Sequence, residues 1–273
     1  MSELFRKKHV LWLKILFGGF SLPKGEWFDT LLDFANIEYR HLKWLAQEIV
    51  ENGEDFDWDR EHIELGFENS TELFQELIKD LESIQNEYGN IALFERIKSD
   101  ESYMLFILQR MLKQDPIEIH SFKRHLSYKN LDGESLSALV QFLFEEIYKE
   151  YELIITYTYS QIHTNHKELA LIFEDLIYES MYHLKTFCVI AAKLGILGVP
   201  RAVMKDVYRF SDLKQFLQDG IEEELAAKEQ CKALSSAIKD EELSRFFDFI
   251  NNQENYHIAL MQKAVTYINN RVT

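Results

Sequence analysis

Two stretches decide how this chain is read: Ile37-Glu38-Tyr39-Arg40-His41-Leu42-Lys43 and Glu179-Ser180-Met181-Tyr182-His183-Leu184-Lys185. Their His-Leu-Lys triplets align at an offset of 142, and each histidine is followed twelve residues later by a glycine, Gly53 and Gly195. A second register, at an offset of 153, pairs Ile97, Glu101, Tyr103 and Gln109 with Ile250, Glu254, Tyr256 and Gln262. Two registers that agree in order point to an internal duplication, the difference of eleven (153 − 142) fitting a longer connection or linker in the second copy.

Apolar residues at helical spacing mark eight segments around these stretches, near 3–20, 24–52, 68–88, 90–114, 135–163, 166–195, 211–236 and 239–270. They predict an all-α protein with a first domain over 1–114 and a second over 135–273. The linker between them, 115–134, carries Pro116, Gly133 and mixed polar residues without sustained periodicity. Each half has a long connection after its second helix: the acid-rich Gly53–Gly66, and Gly195–Phe210 with Pro200. Four helices with their long crossover between the second and third form a recognised bundle plan.

Composition agrees. Three prolines and ten glycines in 273 residues are too few for the turns of a sheet fold. The excess of 46 acids over 30 bases, a net charge of −16, excludes nucleic acid as an expected partner. Disorder does not fit a chain that is 47% hydrophobic. Two cysteines, Cys188 and Cys231, supply neither a disulfide framework nor a zinc ribbon, and without a secretory signal the expected compartment is the cytoplasm. The longest apolar stretch, His9 to Leu22, contains Lys14 and a Gly-Gly pair and falls short of the roughly 20 residues that cross a bilayer, so it reads as a core helix and no membrane partner is expected. All four tryptophans lie in the first quarter, so the halves are not expected to do the same job.

The chemistry lies in Glu-x-x-His, present as Glu38/His41 and Glu254/His257. Residues three apart share a helix face, so a carboxylate and an imidazole point together and can hold one metal ion. The pattern alone is common in a chain this rich in glutamate, and its surroundings must carry the weight. In the second half, Glu150 stands among Ile147, Leu153 and Tyr157, and Glu224 among Ile221, Ala227 and Cys231. A lone carboxylate on an apolar stripe costs several kcal/mol unless a metal or cation pairs with it. The remaining helix offers His183, with Ser180 where a glutamate would complete the pair and Glu179 rotated by about 100° from that direction.

The phrases Ile172-Phe-Glu-Asp-Leu-Ile-Tyr-Glu-Ser-Met-Tyr-His183, Gly220-Ile-Glu-Glu-Glu-Leu-Ala-Ala-Lys-Glu-Gln-Cys231 and Ile250-Asn-Asn-Gln-Glu-Asn-Tyr-His257 resemble the second, third and fourth helices of the ferritin-like superfamily, particularly its rubrerythrin-like members. The resemblance covers 135–270 and, more faintly, 1–114. It implies two ferritin-like four-helix bundles in tandem, the second binding two iron ions, or manganese, through Glu150, His183, Glu224, Glu254 and His257, with Glu179, Glu38, His41 and Glu101 as weaker candidates. It also implies peroxidase, ferroxidase or oxygen-activating chemistry. No Cys-x-x-Cys pair is present, so electrons would come from an external donor. Duplicated bundles commonly replace a symmetric dimer, so an internal pseudo-dimer or a homo-oligomer is expected.

In the first half the same registers place Lys8 opposite Glu150, Thr71 opposite Glu224, and Glu101 with Met104 opposite Glu254 with His257. Glu68 and Glu72 lie within one turn of Thr71. A lysine at a ligand position repels a divalent cation and neutralises Glu38 or Glu101, which predicts a degenerate site held by an internal ion pair. Tyr157 and Tyr256 are either redox-active neighbours or ordinary core aromatics. The other reading of the whole chain is a helical structural or interaction protein that has lost the metal centre, which Ser180 and the altered first half favour.

Overall fold

The computed structural model describes residues 1–60, 62–119 and 131–271. Within them the regular elements are helices: α1 (Ser2–Ser21), α2 (Glu26–Glu51), α3 (Ser70–Gln85), α4 (Ala92–Met111), α5 (Gly133–His163), α6 (Lys167–Lys193), α7 (Lys205–Tyr208), α8 (Leu213–Ala237) and α9 (Glu241–Arg271). The chain is all-α. Eight of these are the periodic segments of the sequence, and α7 is a single turn inside the connection after α6.

The helices fall into two compact units, the first built on α1 to α4 and joined by Cys188–Lys205, the second holding the remaining helices and the part of α6 before Cys188. The sequence places 188–205 in the second half. In the structure Arg60 Nη2 donates to Pro200 O at 2.6 Å and Lys205 pairs with Asp57, both within the first unit. Of the expected linker, 115–119 is tied to the start of α3, with Ser70 N–H donating to Ile117 O at 2.9 Å and Ile119 N–H to Glu68 O at 3.3 Å. Residues 120–130 lie outside the described residues.

In the first unit α1 packs on α2 and α3, and α4 packs on α2 and α3 as well. The apolar run of α1 is buried nearly all round, including Phe5, Leu11, Trp12, Leu13, Ile15 and Phe17. Phe56 and Trp58 of the acid-rich connection cover Phe5 with ring centroids 5.2 and 5.0 Å away. The Gly-Gly pair explains how neighbours come so close: a Cβ on Gly18 would stand 2.6 Å from Leu73 Cδ1 of α3, and one on Gly19 3.1 Å from Leu31 Cβ of α2. No helix among the described residues is long and apolar enough to cross a membrane.

In the second unit α8 packs on α9 and on α5. Phe142 of α5 meets Phe187 of α6 and Phe247 of α9 edge to face, with centroids 5.3 and 5.1 Å away. Asp132 caps α5 by accepting from Ser135 N–H at 2.9 Å, and Asp212 caps α8 by accepting from Gln215 N–H at 3.0 Å.

The repeated glycines close α2 and α6 identically. Both have φ of 76°, where glycine alone avoids a steric penalty. Gly53 N–H donates to Val50 O at 3.0 Å and Glu54 N–H to Ile49 O at 3.1 Å; Gly195 N–H donates to Ala192 O at 3.1 Å and Ile196 N–H to Ala191 O at 2.9 Å. This is a Schellman cap, and all four residues of one copy map onto the other at the offset of 142.

A candidate metal centre and its lysine-filled counterpart

The second unit gathers Glu150 from α5, His183 from α6, Glu224 from α8, and Glu254 with His257 from α9 into one buried cluster. Each side chain lies on its helix's apolar face, which is why helical spacing finds it. Ligand atoms of Glu150, His183 and Glu254 all lie within 4.8 Å of one another, and so do those of Glu224, Glu254 and His257. Glu254 belongs to both groups. His183 Nδ1 stands 2.9 Å from Glu150 Oε1 and 3.6 Å from Glu254 Oε1, while His257 Nδ1 stands 3.1 Å from Glu254 Oε2 and 3.9 Å from Glu224 Oε1. The rings of His183 and His257 are 5.1 Å apart.

Electrostatics follow from burying three carboxylates around two imidazoles. Burial opposes the charge on His257, but Glu224 and Glu254 outweigh it and raise its pKa to about 11. For His183, Glu150 outweighs burial and raises it to about 9. Burial, reinforced by Glu224, pushes Glu254 up to about 7. Against burial, His257 and Lys149 hold Glu224 down at about 2. The cluster thus carries protons on its imidazoles where a divalent cation would satisfy the same lone pairs. Three of its atoms, Glu150 Oε2, Glu254 Oε2 and His257 Nε2, are buried without a hydrogen-bond partner among the described residues, Glu254 Oε2 having only its ion-pair contact with His257 Nδ1, which fits a ligand set of hard oxygens and imidazole suited to iron or manganese.

Around the cluster, His183 Nε2 lies 3.2 Å from Gln253 Oε1. With Nε2 held as the donor to Gln253, Nδ1 is the nitrogen that would give up its proton to a metal ion among the carboxylates. Glu179 is half-buried and brings a carboxylate oxygen within 4.8 Å of His183 and His257. Ser180 is fully buried, and its Oγ has no hydrogen-bond partner among the described residues. Lys149 Nζ stands 3.9 Å from Glu224 Oε1, and burial, with the neighbouring acids, pushes the Glu146 carboxyl up to about 8. Tyr157 is buried near these acids, whereas Tyr256 is exposed.

The first unit builds the corresponding cluster with a different centre. Fully buried Lys8 pairs with Glu38, and its Nζ lies 2.5 Å from Glu101 Oε1 and 3.4 Å from His41 Nδ1. His41 Nδ1 is 3.3 Å from Glu38 Oε1. Tyr88 OH donates to Glu101 Oε1 at 2.5 Å. Burial disfavours ionised Glu38, but Lys8 and then His41 outweigh it and hold its pKa below the ordinary range. Glu101 is raised by burial and by Glu38, with Lys8 opposing. His41 Nε2 lies 3.1 Å from Asp100 Oδ2, and Asp100 corresponds to Gln253 at the offset of 153.

Ligand atoms of Glu38, His41 and Glu101 also lie within 4.8 Å of one another, but the ammonium occupies their centre. The expected internal ion pair is therefore present, and it reaches both acids. The sequence alternatives at the start of α3 do not join it: Glu68, just before the helix, is exposed, and Glu72 closes the helix cap by receiving Asn69 Nδ2 at 3.1 Å and Glu68 N–H at 3.0 Å.

Sequence reasoning missed Lys149, Glu146, Tyr88 and the outer pair Asp100/Gln253. Glu146 had a usable signal, one turn before Glu150 on the same face. Gln253 and Asp100 had only their adjacency to Glu254 and Glu101. Comparison of the chain with protein-family models, curated proteins and solved structures found no match.

Proposed function

We propose that this chain is a ferritin-like metalloprotein of two four-helix bundles in tandem, whose second bundle holds a dinuclear iron or manganese centre and works as an oxidoreductase of the peroxidase or ferroxidase kind. The observation that carries the proposal is the sharing of Glu254 between two three-residue groups drawn from four helices. A bridging carboxylate flanked by one imidazole and one further carboxylate on each side is what two adjacent cations need. Glu150 and His183 would hold one ion, Glu224 and His257 the other, with Glu254 between them.

Bound there, two iron or manganese ions would supply the electrons that reduce peroxide or dioxygen. The protein's own contribution is geometric and electrostatic. Four helices fix the ligands, Gln253 orients His183, and burial of all five ligands excludes bulk water. An external donor returns the electrons. The first bundle keeps the architecture, with Lys8 in the cation's place.

Reconstitution of the metal-stripped full chain with ferrous or manganous ion, followed by elemental analysis, tests the reading. About two ions per chain are expected, and fewer than about 0.2 would end it. The second reading, a helical scaffold without a metal, is favoured by Ser180 and by Lys149 beside Glu224. It gives the second result.

A further inference from the structure

We propose that the second unit's centre takes up a small monocarboxylate, of formate to acetate size, at Ser180. This rests on the dinuclear reading above and names a ligand for the same site. The duplication supplies the first argument. Ser180 corresponds to Glu38 at the offset of 142, and Glu38 sends Oε1 to within 3.3 Å of His41 Nδ1 while Oε2 pairs with the Lys8 ammonium. A carboxylate grown from this helix position therefore reaches the centre of the cluster. At 180 the side chain ends in a hydroxyl where glutamate has its γ-methylene, so what it lacks beyond that atom is a carboxylate, the size of formate and one methyl short of acetate.

Unsatisfied hydroxyls are the second argument. Metal ions would account for Glu150 Oε2, but not for the buried, unpartnered Ser180 Oγ and Tyr157 OH. Ser180 lies three residues before His183 on α6, and Tyr157 seven after Glu150 on α5. In helices running in opposite directions, joined across 164–166, both steps lead the same way from the His183–Glu150 pair, by about one turn and two turns. Both hydroxyls therefore lie toward the same end of the bundle from that pair.

The test uses the full chain loaded with cobalt(II), whose visible absorption reports its ligands. Acetate and formate should shift the bands saturably, whereas butanoate, too long for the missing atoms, should not. Acetate at about ten times its dissociation constant should tighten apparent cobalt affinity about tenfold by linkage. Ser180→Ala, which removes one of the two hydroxyl donors, should weaken the acetate response, and Ser180→Glu, which fills the position covalently, should bind cobalt and ignore acetate. Cobalt uptake with no acetate response in the unmodified chain overturns this inference and leaves the dinuclear reading standing. An equal response to butanoate overturns it too, as does a Ser180→Glu protein that still responds. The size series needs no variant, so a misfolded Ser180→Glu protein still leaves a decisive result. Failure to take up cobalt, iron or manganese overturns the dinuclear reading and this inference together.

Discussion

Replacing Lys8 by Met removes one ammonium from among Glu38, Glu101 and His41, all fully buried. The two acids then face each other without their shared cation, with Tyr88 OH left as a donor to Glu101. At pH 7, neutralising a glutamate of ordinary pKa near about 4.3 costs about 3.7 kcal/mol. That sets the scale for each acid, and breaking a buried pair by deleting one partner costs about 3–5 kcal/mol in all. With a urea slope of about 2 kcal/mol per molar, the midpoint should fall by about 1.5–2.5 M. Tryptophan fluorescence is the right assay because all four tryptophans belong to the first half.

The sign of the pH dependence follows from the same groups. In the unmodified chain Glu38 is held below its ordinary pKa, so its contribution is present at neutral pH and is lost as pH falls through the folded value. In Lys8→Met both carboxyls are pushed above their unfolded values, so the folded form binds more protons and the variant should gain stability as pH drops from 7 toward 5. Lys8→Met/Glu38→Gln/Glu101→Gln should recover most of the loss, since no buried charge is orphaned. A loss under about 1 kcal/mol for Lys8→Met, or a variant that weakens as pH falls toward 5, would refute the reasoning.

Three further outcomes are expected. Glu254→Gln should abolish uptake of both metal ions, whereas Glu150→Gln and Glu224→Gln should each leave about one, counted by elemental analysis; equal losses for all three would show that Glu254 is not shared. Gln253→Leu should weaken metal binding about 10- to 100-fold in a competition titration, because His183 Nε2 loses its orienting acceptor. Gly53→Ala and Gly195→Ala should each cost about 1–2 kcal/mol in denaturant melts, because both residues hold a φ of 76°.

The long helices were legible because each buries an apolar stripe at helical spacing, and the repeated glycines were legible because a left-handed cap leaves few other choices. The five cluster residues were legible for a related reason: each is an acid or imidazole interrupting an apolar face. Lys8 could be read from the offset alone, yet its contact with both Glu38 and Glu101 depends on how α2 and α4 pack around α1, which periodicity does not specify. Gln253 and Asp100 were illegible because their role is defined by a ring nitrogen on another helix. The grouping of Cys188–Lys205 with the first unit was hidden as well, since its anchors, Arg60 to Pro200 and Lys205 to Asp57, join residues more than a hundred positions apart in the sequence.

In the proposed reading the second unit would hold a pair of metal ions, whereas the first holds Lys8 among its acids. Crystals of the full chain grown with manganese, with anomalous scattering recorded at the manganese edge, test it most directly. Two peaks are expected in the second unit, one on either side of Glu254, and none beside Lys8. An empty cluster around Glu254, or a peak among Glu38, His41 and Glu101, would contradict it.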